Sequence, residues 1–379
     1  MKVAILCPGF GGERRGTERV TEELVTRLGA DYRPIVYGLR RKGCRDDLWQ
    51  QAYGVEIRRV PGVPRTHPLA KFYSPWARRA GVYMWSPGDF EAMTFAANLL
   101  PRLLRDRPDV VLSLAGPAAG RVCRALRALR GTPFLHSAQG MAQGRLEWIH
   151  ARQRPNRYLA LSVPNRQWIE ARAPWLKIAL IPNGVDCARF TPEGEVAELP
   201  LPKPSIIFVG AMDPVKRPEL AIRAVASISA RPGQQAPSLL MIGDGKSRVA
   251  IEQLGRELLR DRFLLLPSIA NEELPKYYRA CQAFTLATES EPFGIVFLEA
   301  MACNLPVVAH QGVVQQWLIG EAGSCCDCTE EAEYAAALSA AIAQPFGTTP
   351  RRRAREFDWE GILNRYREVF SEVVLERRQ

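Results

Sequence analysis

Short apolar, β-branched runs alternate with segments of helical period along nearly the whole chain. Such a run has no polar face to turn to water, so it belongs in a sheet covered on both sides. Parallel pairing through helical crossovers supplies that cover. The runs fall at residues 3–7, 34–37, 55–60, 110–114, 133–137, 158–161 and 178–181, and the pattern restarts at 206–209, 239–242, 263–266, 283–287 and 306–309. Helical periods sit between them, for example at 17–28, 218–229, 272–280 and 293–303. The aperiodic stretch TPEGEVAELPLPKP separates the two series, and 379 residues are enough for two buried cores. The expected organisation is therefore α/β with two parallel-sheet domains: 1–185, a linker at 186–203, and 204–356. A final helix beginning near Asp358 carries Ile362, Leu363, Tyr366, Val369 and Phe370 on one face, which must pack on a domain.

Composition excludes several classes. With 47% hydrophobic and 24% charged residues the chain is globular, and no apolar run approaches the roughly 18 residues that span a bilayer. The opening MKVAILCPGF breaks at Pro8-Gly9 without a small-residue cleavage site, so it reads as a first strand and the expected location is cytoplasmic. Nine dispersed cysteines do not make a disulfide framework, and Cys325-x-x-Cys328 lacks a second ligand pair.

The net charge of +11 is uneven: residues 1–180 carry 30 Lys and Arg against 14 Asp and Glu, and residues 181–379 carry 21 against 26. The first half should prefer an anionic partner, namely lipid phosphate, a membrane surface or an acidic glycan. No recognition motif points to nucleic acid. Between residues 65 and 95, Lys71, Arg78 and Arg79 interleave with Phe72, Tyr73, Trp76, Tyr83, Trp85 and Phe90. That mixture suits peripheral contact with anionic headgroups at the inner face of a membrane, or equally aromatics in a core beside solvated arginines.

Three segments carry chemistry. The first strand opens into PGFGGERRGTERV, a glycine-rich turn before a helix, where backbone N–H groups can meet a phosphate. Arg14 stands where a dinucleotide fingerprint needs its third glycine, and Gly11-x4-Gly16-Thr17 lacks the P-loop lysine. The second is TESEPFGIVFLEAMACNLPVVAH, which places Glu291 in the loop before a helix and Glu299 inside it, among Ile295, Val296, Phe297 and Leu298. Carboxylates so placed can accept hydrogen bonds from sugar and ribose hydroxyls while the helix N-terminus faces a diphosphate. The third is IIFVGAMDPVKRPELAIRAVASI, a strand, the Gly210 turn, then Lys216-Arg217 before a helix opening at Pro218; a lysine there can reach a leaving diphosphate.

The order and spacing of these landmarks resemble the retaining glycosyltransferases of family 4, of GT-B fold, over nearly the whole chain. The matching segments are Gly16-Thr17-Glu18-Arg19, IPNGVD, VGAMDPVKRPEL, MIGDG, Glu291-x7-Glu299 with PFG inside it, and FDWEGILNRYREVF. The resemblance implies two facing Rossmann-like domains, with the last helix, 357–379, crossing back to the N-terminal, acceptor-side domain. It implies that Lys216 binds the donor diphosphate and Glu299 the ribose, and that Glu291 with the backbone of Phe293, Gly294 and Ile295 holds the donor sugar. Gly16 would approach the phosphates from the other domain. Relatives often carry Arg one residue after the glycine where this chain has Ala211, so half of the cationic clamp is missing there; either Arg217 compensates or the leaving group is held differently. A His-Gly pair is common where this chain has Gln139-Gly140, which puts Gln139 with Lys216 and Glu291 in the catalytic set. His136, three residues earlier, is expected to be structural. The turn also has Arg15-Gly16 where two glycines are common.

The expected reaction is transfer of a hexose-type sugar from a nucleoside-diphosphate sugar to a glycan or lipid-linked anionic acceptor. Retention follows from the resemblance alone. No Asp-x-Asp cluster stands in a suitable place, so neither a metal nor another cofactor is expected. Electrostatic stabilisation of the departing diphosphate would carry the chemistry. A sugar-nucleotide epimerase or phosphorylase on the same scaffold, or a non-catalytic sugar-nucleotide or polyanion binder, are the competing readings.

Overall fold

The computed structural model describes residues 1–12, 16–41, 44, 46–72, 86–139, 144–230, 235–344 and 346–378. Contacts divide the chain into two compact units, Met1–Pro182 with Leu363–Gln379, and Asn183–Ile362.

The first unit is built on seven parallel strands: β1 (Lys2–Leu6), β2 (Arg33–Leu39), β3 (Glu56–Val60), β4 (Val110–Ser113), β5 (Phe134–Ser137), β6 (Arg157–Ala160) and β7 (Ile178–Leu180). Their order is β3-β2-β1-β4-β5-β6-β7. The central strand has Val3, Ala4, Ile5 and Leu6 all excluded from solvent, as a strand covered on both faces must. Between β1 and β4 the chain reverses its direction of travel across the sheet. In open α/β sheets that switch point leaves a crevice at the carboxyl ends of the strands. The helix Gly16–Arg27 follows β1 and buries Val20, Leu24 and Val25. The last helix, Trp359–Arg378, is tied to this unit through its later residues. Arg157 donates to Glu376 at 2.7 Å, Lys177 to Glu376 at 2.9 Å, and Arg377 to the Arg130 carbonyl at 2.8 Å.

The second unit has six parallel strands: β8 (Ser205–Val209), β9 (Ser238–Ile242), β10 (Phe263–Leu266), β11 (Ala283–Leu286), β12 (Val307–His310) and β13 (Gly323–Cys326). The order β10-β9-β8-β11-β12-β13 puts its switch point between β8 and β11. The two parallel sheets with helices around them are the doubly wound α/β architecture expected from the alternation.

Three details differ from the sequence expectation. Strand β13 was not anticipated, because Gly-Ser-Cys-Cys has little strand preference. It pairs with β12 where a Cβ on Gly323 would lie 1.9 Å from the Val307 carbonyl oxygen, so only glycine fits. Residues 183–185 and the expected linker 186–203 cluster with the second unit. Phe190 is fully buried there, Arg279 donates to the carbonyls of Thr191 and Glu195, and Ala197 N–H donates to the Lys276 carbonyl. The first turn of the last helix also belongs to the second unit: a Cβ on Gly184 would meet the Trp359 ring at 2.5 Å, and Val185 bridges to Asp358.

Candidate functional site

The candidate residues of the second unit gather at the carboxyl ends of β8 and β11, at the switch point. After β8, Gly210 N–H donates to the Ile242 carbonyl at 3.1 Å, and the loop is braced by the Gly243–Gly245 turn that follows β9. A Cβ on Gly243 would fall 1.9 Å from the Gly210 oxygen, and one on Gly245 2.5 Å from the Met212 oxygen. The glycines of MIGDG therefore serve loop-to-loop contact. Met212 N–H reaches the Asp244 carbonyl at 3.0 Å, and Asp213 accepts from Lys246 N–H at 2.9 Å. A short 3-10 turn, Pro214–Lys216, follows, and Arg217 in the left-handed region (φ 50°, ψ 48°) turns the chain into the helix Pro218–Ser227.

The loop after β11 meets this turn at three points. Buried Thr288 donates its hydroxyl to the Val215 carbonyl at 3.1 Å. Lys216 Nζ pairs with Glu291 Oε2 at 2.5 Å, and Arg217 Nη2 pairs with Glu289. Gly294 then takes φ 87° and opens the helix Ile295–Ala302. The first N–H groups of a helix have no acceptor inside it, and they carry the positive end of its dipole. Lys216, Arg217, Glu291 and the backbone at Phe293, Gly294 and Ile295 thus lie on two loops that are hydrogen-bonded to each other. Two cations beside a helix N-terminus can hold a polyanion, and the carboxylates can accept from hydroxyl groups.

Two members of the expected set are interior. The Phe293 side chain is 2% exposed and lies edge-on to Phe357 at 6.2 Å, so its ring packs the core while its backbone lines the turn. Glu299 is 0% exposed and accepts from the Tyr278 hydroxyl at 3.1 Å, which rules out a solvated helix position. Glu289 and Tyr278 escaped sequence reasoning. The Glu-x-Glu spacing of residues 289–291 does mirror Lys216-Arg217, but no local pattern says that loops about 75 residues apart meet.

In the first unit, Gly16 opens its helix with nothing among the described residues within 4 Å of where a Cβ would stand, so none of those residues demands glycine there. Gln139 donates its side-chain amide to the Ser137 hydroxyl at 3.1 Å. Its neighbour Gly140 and the residues Arg14 and Arg15 lie outside the described residues. His136 is buried and stacked on His150 at 3.7 Å, with Glu147 at 3.8 Å. Burial pushes both imidazoles down to about 3, so they are neutral, and it raises the Glu147 carboxyl, which accepts from Tyr158. His136 is therefore a core residue.

Several arginines of the basic half are internal braces. Arg41 and Arg65 both grip Glu91, which is 1% exposed, at 2.8 and 2.7 Å. Arg59 binds Asp46 and donates to the Phe10 carbonyl at 2.7 Å beside the glycine-rich turn. Arg121, Arg124 and Arg130 are exposed, as are Lys71 and Phe72. Lys42 and the stretch containing Tyr73, Trp76, Arg78, Arg79, Tyr83 and Trp85 lie outside the described residues. Among the described residues no helix is long and apolar enough to cross a membrane, and no group of three His, Cys, Asp or Glu could hold a metal ion.

The family model for Glycosyltransferase Family 4 matches residues 14–189, and that for glycosyl transferases group 1 matches residues 192–357. A D-inositol 3-phosphate glycosyltransferase of Acidothermus cellulolyticus is 31% identical over 239 residues, 54% of this chain and 52% of that protein. The chain thus spans about half the length of the curated relatives it matches. The fold is shared with a sucrose-phosphate synthase from Thermosynechococcus elongatus at TM-score 0.78, with 19% identity and 99% of each chain covered. It is shared also with Anabaena HepE in complex with UDP and glucose at TM-score 0.71, with 18% identity, covering 98% of this chain and 100% of that one.

Proposed function

We propose that this chain, which shares the GT-B fold and matches the family 4 and group 1 glycosyltransferase models over its two halves, is a glycosyltransferase that moves a hexose-type sugar from a nucleoside-diphosphate donor to an anionic acceptor, with retention and without a metal. The observation that carries the proposal is the Lys216–Glu291 pair beside the N-terminus of the helix Ile295–Ala302, at the switch point of the second sheet. In this reading Lys216 and the first-turn N–H groups take up charge on the departing diphosphate as the sugar becomes oxocarbenium-like. Glu291, released from Lys216 as the diphosphate arrives, accepts from donor-sugar hydroxyls, and Glu299 meets the ribose. The Gly210 turn and Arg217 complete the donor set. Gly16 is assigned to phosphate contact and Gln139 to the transfer step.

The acceptor side rests on the excess of Lys and Arg in residues 1–180 and on relatives named for inositol 3-phosphate. Both support an acceptor bearing phosphate, either a soluble polyol phosphate or a lipid-linked one. The test is turnover of isotopically labelled nucleoside-diphosphate hexoses with such acceptors in EDTA, followed by NMR of the product's anomeric centre. Acceptor-dependent transfer with retained configuration is expected. Release of free sugar or epimerised donor without acceptor, or dependence on added metal, would overturn it.

A further inference from the structure

Arg217 and Glu289 form a second ion pair at the donor edge, unlike the Lys216–Glu291 pair in one respect. The Glu289 side chain is 65% exposed, whereas that of Glu291 is 12% exposed; the two cations are equally sheltered at 27%. An exposed carboxylate gives up little on leaving its partner, because water solvates it at once and exposed pairs contribute little. The guanidinium is seated differently. Its backbone is fixed in the left-handed region where the 3-10 turn meets the helix, with Arg217 N–H held by the Pro214 carbonyl at 3.3 Å. Its Nη1 is shut off from solvent and has no hydrogen-bond partner among the described residues. A buried N–H donor without an acceptor is costly, and a charged one more so. Arg217 therefore has one donor lent to a replaceable anion and another with no acceptor.

We propose that Glu289 is a built-in competitor for the donor's diphosphate: it occupies the Arg217 guanidinium in the unliganded protein, and the diphosphate displaces it to take both Nη2 and Nη1. The planar fork of arginine suits two phosphate oxygens, which a single carboxylate oxygen on Nη2 does not use. Lys216, paired with the more sheltered Glu291, is the less readily exchanged of the two cations. Glu289 then sets donor affinity while touching no part of the donor. This rests on the nucleotide-sugar reading above and adds to it which residue tunes the site.

The test is calorimetric titration of the full chain and its Glu289→Gln, Arg217→Gln and Arg217→Lys variants. The ligands are a panel of nucleoside diphosphates, inorganic pyrophosphate and the corresponding nucleosides. Removing the competing charge should tighten nucleoside diphosphate and pyrophosphate about threefold or more in Glu289→Gln. Arg217→Gln should weaken both about tenfold or more, with Arg217→Lys between, and nucleoside binding should not change. Glutamine in either place keeps a side chain at the same backbone, and melting temperatures show whether each variant folds. If Arg217→Gln does not fold, Glu289→Gln decides. Weaker or unchanged diphosphate binding in Glu289→Gln, or a loss in Arg217→Gln shared equally by the nucleosides, overturns the proposal. If the wild-type chain binds no nucleoside diphosphate, the donor reading itself fails, which is a different result from a wrong order among variants.

Discussion

Replacing Glu299 by Ala and by Gln separates a ligand group from a core strut. The carboxylate is fully buried and accepts from the Tyr278 hydroxyl at 3.1 Å, and Tyr278 is itself fully buried. Alanine leaves that hydroxyl without this acceptor, at about 1–3 kcal/mol, and adds a void of a few heavy atoms. Relief of the carboxylate's own desolvation offsets part of this. The net loss should be about 2–4 kcal/mol, which for a body of this size lowers the melting temperature by about 5–15 °C. Glutamine keeps an acceptor for Tyr278 and should lose less than about 1 kcal/mol. Both variants lose the charged bond assigned to the ribose, so both should bind nucleoside diphosphate about tenfold to a hundredfold more weakly. Thermal melts and calorimetric titration of the three proteins give the two readouts. If Glu299→Gln binds as tightly as wild type while Glu299→Ala only melts earlier, Glu299 supports Tyr278 and does not touch the ribose.

Three further outcomes are expected. Lys216→Ala should lower kcat about a hundredfold with little change in KM, since its charge acts as the diphosphate departs; a raised KM at unchanged kcat in steady-state assays would mean uniform binding instead. Glu376, hydrogen-bonded by Arg157 and then Lys177, has its carboxyl held down at about 2, so its contribution to stability is complete above about pH 4.5 and disappears as the pH falls through 2. Wild type should therefore melt above Glu376→Gln at pH 7, with the gap shrinking as the pH falls through 2, and a gap as wide at pH 2 as at pH 7 would contradict the linkage. If the basic first half serves a lipid-linked acceptor, the chain should co-sediment with anionic vesicles at low salt and release as salt rises, because each basic residue at such a surface is worth about 1 kcal/mol and is screened; no binding at low salt with full activity on a soluble acceptor would rule that contact out.

The alternation of apolar runs with helical periods made twelve of the strands legible; the inner ones, such as β1, β4, β8 and β11, are buried along all or nearly all of their length, while the edge strands β3, β7 and β10 are only partly covered. Strand β13 was not legible, since Gly323, Ser324 and the two cysteines enter the sheet through close approach to β12 and not through propensity. The segment 186–203 reads as a linker because nothing in it repeats. Its backbone is instead held by side chains from elsewhere, such as Arg279 on Thr191 and Arg351 on the Cys187 carbonyl. For the site, the residue types were visible but their partners were not. Lys216-Arg217 and Glu289-x-Glu291 meet only because β11 lies next to β8, a fact of strand order that no local window contains. The burial of Glu299 was half legible: the apolar neighbours announced it, while Tyr278 did not.

The central claim is that the donor diphosphate sits at the carboxyl edge of β8 and β11. A crystal structure of the chain with a bound nucleoside diphosphate measures that position directly. The diphosphate should lie within hydrogen-bond reach of Lys216 Nζ and the first-turn N–H groups of the helix Ile295–Ala302, with Glu291 no longer paired to Lys216. A diphosphate held instead at the glycine-rich turn after β1, with the Lys216–Glu291 pair intact, would contradict it.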